Sequence, residues 1–275
     1  MLFPHATIRR IRSAVCAVGY YKKPEEEVVA DPYGSNFTVL GTGFLVEGDM
    51  VVTARHVLQG LKQEMERKRI PSERMSFLFE GQPHHGAVTQ YSVEPVRPAW
   101  AATRTLDLGI SQIAPQEGFA RDIHPVTFGS AVPGIVGLDL GAFGYPQGSL
   151  SLERRDEEGN MKRYRVGPVL QRGYVSAVAP FEQPDVASRY LLDMTTSPGM
   201  SGAPVFEPYN GNVIALHTAG FAEETAFAVP LTKELVAYFA HSYLKQPEAE
   251  EIIFDAPPAL VDMSWETPDD PTPPT

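Results

Sequence analysis

Three stretches hold residue types that could perform acyl transfer. In TSPGMSGAPVF (196–206), Ser201 sits in a glycine-flanked turn that runs into an apolar strand. A serine hydroxyl attacks a carbonyl when a base within hydrogen-bond reach takes its proton and a carboxylate fixes the base's tautomer. The chain has seven histidines, and one has a context suited to that role. GTGFLVEGDMVVTARHVL reads as a hairpin whose second strand ends in TARH, which leaves His56 at the start of a helix. Small Thr53 and Ala54 just before it let the imidazole pack against the sheet end. Asp107, in TLDLGISQI, stands at the mouth of a strand, with Leu106, Leu108 and Ile110 to wall it from water. Gly199 and Gly202 allow a sharp turn in which the amides of Gly199 and Ser201 face the same way. Two such amides can hold the oxyanion of a tetrahedral intermediate.

These residues need a scaffold of short strands. The chain has 275 residues, 43% of them hydrophobic and 21% charged, enough to bury a core in one large or two modest domains. Its 25 prolines and 23 glycines interrupt it too often for long helices. Strand-like runs cover 15–21, 37–47, 50–54, 75–80, 87–96 and 107–113. After a Pro/Gly-rich stretch at 115–134 they resume at 137–145, 165–181, 190–195, 203–206, 212–218 and 225–231. Two helices stand out. HVLQGLKQEMERKR, from His56, puts Val57, Leu58, Leu61 and Met65 on one face, and TKELVAYFAHSYL has Thr232 as N-cap with Leu235, Phe239 and Tyr243 in line. KQEMERKR reads as a solvated helix face. Beyond Gln246 the chain is acidic and proline-rich, without Lys or Arg, and reads as an appendage whose IIF and MSW are apolar enough to dock.

The motifs resemble those of trypsin-like (chymotrypsin-fold) serine proteases, of the disulfide-free bacterial kind that includes HtrA-type proteases and glutamyl endopeptidases. The matching pieces are GTGFLV and VVTARHVL within 41–58, DLGISQI, GAFGYPQG, RGYVSAV, SPGMSGAPVF, VIALHTAG and FAVPL, in family order over most of 13–240. The resemblance implies an all-β fold of two six-stranded antiparallel β-barrels with a C-terminal helix: an N-terminal barrel at 1–118, a C-terminal barrel plus helix at 119–245, and the tail at 246–275. It also implies a His56–Asp107–Ser201 triad in the cleft between barrels. Ala203 departs from the family's second glycine. Met200 replaces the acidic residue that digestive enzymes pair with a new N-terminus, so zymogen cleavage is not the expected switch. No PDZ-like domain is expected after 245.

In glutamyl endopeptidases, and in viral chymotrypsin-like proteases that cut after glutamine, a histidine in the position of His217 contacts the side chain before the scissile bond. The resemblance therefore places His217 in the primary pocket, with Thr195 and Thr196 lining its base and wall and Thr225 reaching it from the opposite strand. Hydroxyls and an imidazole without an aspartate suit a Glu or Gln side chain. Gly220 leaves the mouth open, and its backbone can pair with substrate. The plainer reading of His217 is a buried histidine satisfied by a carbonyl.

A net charge of −11 argues against nucleic acid as a partner. Cys16 is the only cysteine and reads as a core residue, so no internal disulfide forms. No segment is apolar and long enough to span a bilayer, and SAVCAVGYY reads as a strand rather than a secretory leader. His84 and His85 lack a nearby third ligand, so no metal and no cofactor is expected. The reading is a cytoplasmic serine endopeptidase acting on protein or peptide substrates after Glu or Gln, with a regulatory protein partner docking through 246–275. Two alternatives stay open: a catalytically silent binding module of the same fold, and a protease active only within a larger complex.

Overall fold

The computed structural model describes residues 4–23, 35–81, 90–102, 106–115, 117–129, 135–146, 150–155, 158–165, 167–179, 189–195, 197–221 and 225–253. Helix α1 (His5–Ala14) opens the chain. It is followed by β1 (Val15–Tyr21), β2 (Phe37–Val46), β3 (Met50–Thr53), α2 (Arg55–Lys68), β4 (Met75–Glu80), β5 (Gln90–Val93), β6 (Ala99–Ala101) and β7 (Gly109–Gln112). After α3 (Phe119–Asp122) and β8 (Thr127–Phe128) come β9 (Asp139–Gly144), β10 (Ser151–Arg155), β11 (Met161–Arg165), β12 (Val169–Ala179), β13 (Arg189–Asp193), β14 (Pro204–Phe206), β15 (Asn212–Phe221) and β16 (Thr225–Pro230). Helix α4 (Lys233–Lys245) and β17 (Glu251–Ile252) complete the described chain.

The second half forms the expected barrel. Strands run β9-β12-β13-β16-β15, and β14 pairs with both β9 and β15, closing six strands on themselves. Its interior is filled by Leu140, Val175, Leu192, Met200, Val205 and Ile214, with Ala142, Ala203, Ala215, Ala226 and Ala228 where space is short. The two-barrel, all-β expectation fails in the first half. There eight strands form an open sheet in the order β17-β6-β7-β3-β2-β1-β4-β5. A barrel would need the chain after β5 to ladder along β7. One bridge, Pro95 to Ile113, is all that forms. The sequence VEPVRP explains this: Pro95 and Pro98 bring no amide hydrogens, so the ladder cannot lengthen. The described residues also hold four α-helices, against the one C-terminal helix that the resemblance implies and the two read from periodicity. No helix among them is long and apolar enough to cross a membrane.

The two strong helix expectations match closely. Helix α2 buries Val57, Leu58, Leu61 and Met65 on one face. In α4 the Thr232 hydroxyl accepts from the Leu235 amide at 3.1 Å, and Leu235, Val236, Phe239 and Tyr243 are buried. Helix α1 was not anticipated: Ser13 and Ala14, read as strand, close it, and the strand begins at Val15. Cys16 is buried, as expected of a core residue.

Candidate active site

The loop that carries Ser201 is shaped by constraints on its backbone. Gly199 and Gly202 have φ of +97° and +88°, a region that side-chain-bearing residues rarely adopt. A Cβ at Gly202 would lie 1.9 Å from the Thr42 carbonyl oxygen, so no other residue fits there. Met200, between them, is fully buried in the barrel core and anchors the loop from inside. An acidic residue at that position would place an unpaired charge in the core.

Thr42, on β2, ties the loop to the N-terminal sheet. Its amide donates to the Ser201 carbonyl at 2.8 Å, and its hydroxyl donates to the Gly199 carbonyl at 2.7 Å while accepting from the Tyr145 amide at 3.0 Å. Its own carbonyl accepts from the Thr53 hydroxyl at 2.6 Å. Within the loop the amides of Met200, Gly202 and Ala203 donate to Ser197, His217 and Met200. Among the described residues the amides of Gly199 and Ser201 have no partner. They are the two expected to hold an oxyanion.

His56 lies in the first turn of α2, and Asp107 lies on the turn between β6 and β7. The His56 Nδ1 to Asp107 Oδ2 distance is 2.7 Å, and the His56 backbone amide donates to Asp107 Oδ1 at 3.0 Å. The second bond satisfies an amide at the start of α2, whose N-cap Ala54 offers no side-chain acceptor. One carboxylate therefore caps the helix and orients the imidazole. Leu106, Leu108 and Ile110 are buried around it, yet the Asp107 side chain keeps 23% exposure and that of His56 48%. With Nδ1 held by Asp107, Nε2 is the nitrogen left to exchange a proton.

Ser201 is not hydrogen-bonded to His56. Its hydroxyl donates instead to the Thr218 carbonyl at 2.8 Å. Thr218 is the extra residue of a β-bulge, since β15 shifts register against β16 between His217 and Ala219. The bulge turns that carbonyl off the ladder and toward the serine.

His217, on β15 opposite Ala228, is 1% exposed, and neither ring nitrogen has a hydrogen-bond partner among the described residues. Its plainer reading, satisfaction by a carbonyl, therefore does not hold. Burial, helped by the nearby charge of His56, lowers its pKa from 6.5 to about 4, so the ring is neutral near pH 7. Thr195 is exposed just after β13. Gly220 pairs with Ala226, and Thr225 faces Phe221 at the start of β16. Thr196 lies outside the described residues, as do His84 and His85. Among the described residues no group of three or more His, Cys, Asp or Glu side chains could hold a metal. Sequence reasoning did not single out Thr42 or the Thr218 carbonyl; GTG marked only a tight strand, and a bulge leaves no residue signature.

The chain belongs to the trypsin-like peptidase family, whose domain matches residues 41–216. It is similar in fold to Deg5, at 19% identity over 87% of this chain and 92% of that one, TM-score 0.53. It is also similar to the HtrA-type protease AlgW with decapeptide, at 17% identity over 87% and 66%, TM-score 0.53. A third similar structure is the serine endoprotease from Yersinia pestis, at 16% identity over 88% and 66%, TM-score 0.52. The chain thus spans about two thirds of the length of the last two. No curated protein sequence matches it. The protein is a hydrolase of the serine-protease type, and its fold is similar to that of HtrA-type proteases.

Proposed function

We propose that the protein is a serine endopeptidase that cuts after Glu or Gln. Ser201 attacks the peptide carbonyl, His56 takes the proton at Nε2 and returns it to the leaving amine, and Asp107 stabilises the imidazolium. The Gly199 and Ser201 amides receive the oxyanion. The observation that carries this reading is Asp107's double hold on His56, through Nδ1 and the backbone amide. The unpartnered His217 supports the pocket assignment: a substrate oxygen would satisfy a ring N–H that nothing in the described protein satisfies. Thr195, Thr196, Gly220 and Thr225 complete the pocket on this reading. The reading keeps the protein in the cytoplasm, with which a lone buried Cys16 is compatible. Residues 246–275 remain the segment assigned to a regulatory partner on this reading.

One observation favours a second reading, a protease that turns over only within a larger complex. The Ser201 hydroxyl must leave the Thr218 carbonyl before His56 can take its proton. A binding partner that closes the cleft could drive that exchange.

Mass-spectrometric profiling of cuts in a peptide library, wild type against Ser201→Ala, tests both. Cuts after Glu or Gln that vanish in the variant support the proposal. Cuts after other residues keep the nucleophile and discard the pocket. Silence from both proteins removes the stand-alone peptidase and leaves the complex-dependent enzyme and a silent binding module as the readings to separate.

A further inference from the structure

We propose that the C-terminal strand β17 is a positioning part of the catalytic centre, holding Asp107 and His56 in place through Arg55. The inference rests on the reading of those two residues as orienting carboxylate and base.

Strand β6 leads into the turn that presents Asp107. It is three residues long and makes two register pairs with β7, Ala99 to Ile110 and Trp100 to Gly109. Beyond them the Ala101 amide donates to the Leu108 carbonyl at 2.9 Å, and the Leu108 amide donates back to Leu106 at 2.8 Å, so Asp107 sits at the tip of a tight turn. A ladder this short is marginal alone. β17 supplies the other side. It runs parallel to β6, with the Trp100 amide donating to Glu250 at 2.8 Å and the Ala102 amide to Ile252 at 3.0 Å. Ile252 is fully buried beneath it. Without β17, β6 would become the sheet edge and two amides would lose their partners.

Arg55 connects this clasp to the imidazole. It precedes His56 in the first turn of α2, and its guanidinium donates to the carbonyls of Ala101 and Ala102 at 2.7 and 3.0 Å. It faces Glu251 of β17 at 3.6 Å, with its own side chain 12% exposed. With the Gln59 amide oxygen turned toward them, Arg55 and Trp100 share that acceptor at 3.2 Å. The base and the strand feeding its carboxylate thus meet on one side chain. The exposed Lys62–Glu250 pair adds little; Ile252 and the backbone bonds do the holding. The clasp is fixed at its start as well. Arg97 stacks on Tyr243 and donates to the Tyr243 and Gln246 carbonyls at the end of α4. The Gln246 side chain in turn bonds the backbone carbonyl and amide of Ile253 at 2.8 and 3.3 Å, leaving the Ile253 side chain outside the clasp.

The test uses point variants of the full chain. Ile252→Asp removes the buried anchor, Arg55→Met removes the link, and Ile253→Asp changes the neighbouring residue, 71% exposed, as control. The readouts are kcat and KM on a cleavable peptide, and the far-downfield NMR proton of the His56–Asp107 hydrogen bond. Ile252→Asp and Arg55→Met should each lower kcat by about tenfold or more with KM little changed, and the pair together should lose no more than either alone. In both, the downfield proton should broaden or vanish, while Ile253→Asp stays like wild type. Full kcat and an intact proton signal in a folded Ile252→Asp protein would overturn the proposal, as would additive losses. If Ile252→Asp fails to fold, Arg55→Met decides by the same readouts. The proton signal needs no substrate. An inactive wild type would remove the stand-alone peptidase, and the signal would still decide the role of the strand.

Discussion

His217 sets stability against specificity. A buried ring with neither nitrogen bonded leaves polar groups that have given up water for nothing, at a cost of about 1–3 kcal/mol. A leucine there would have no such debt. His217→Leu is expected to raise the urea midpoint at pH 7, by about 1–2 kcal/mol of stability after some loss of packing, while erasing any preference for Glu or Gln. A variant that is less stable than wild type would mean the ring is satisfied after all, and one that keeps the preference would move the pocket elsewhere. The sequence could raise this residue as a candidate from its place in VIALHTAG. It could not say whether a carbonyl lay within reach of the ring, because that depends on how the β15 bulge and the nucleophile loop close around it.

At the scale of elements, the join between β2 and the nucleophile loop carries more than its sequence suggests. The Thr42 hydroxyl serves a buried carbonyl and a buried amide at once, those of Gly199 and Tyr145. Valine has nearly the same shape but would orphan both groups, so Thr42→Val should cost about 2–4 kcal/mol. It should also slow fluorophosphonate labelling of Ser201, because Gly199 is freed to turn its amide. Thr42→Ser keeps the hydroxyl and should behave like wild type in both assays. Equal labelling rates for valine and threonine would show that the loop holds its shape from Gly202 and Met200 alone. The elements themselves were largely legible: the apolar faces of α2 and α4 and most strands follow from periodicity, since each buries a continuous stripe. Several of the failures share a cause. The short strands β6, β8 and β17 have too few residues to show a period, and their pairing is decided by distant chain. The open first sheet was hidden for the same reason, since closure depended on which partner the proline-interrupted chain after β5 could reach. His56, Asp107 and Ser201 were legible as candidates because motif context marks them. The double grip of Asp107 on His56 was not, because it forms only when α2 and the β6–β7 turn are brought together.

The whole molecule should register His217 as a dependence of folding on acidity. Once unfolded, the ring binds a proton near its ordinary pKa of 6.5; in the native barrel burial delays that until about pH 4. Between those values the unfolded chain holds more protons than the native one, so stability rises with pH across the window and is lost as pH falls through it. The contribution is complete above pH 6.5. Its loss by pH 4 amounts to about 3 kcal/mol, at 1.36 kcal/mol for each unit between the two pKa values. Carboxylates titrate over the lower part of the same range, so the raw acid-unfolding curve cannot isolate the histidine. Comparison with His217→Leu can, because the carboxylates are shared and His56 alone is electrostatically coupled to the replaced ring. Urea midpoints of the two proteins measured from pH 7.5 to 4 should diverge as the solution is acidified, the leucine variant losing less. Curves that stay parallel over that range would mean the imidazole is protonated in the native barrel as readily as in the unfolded chain, and the pocket would then present a cation to substrate below about pH 6.5, which favours Glu over Gln there.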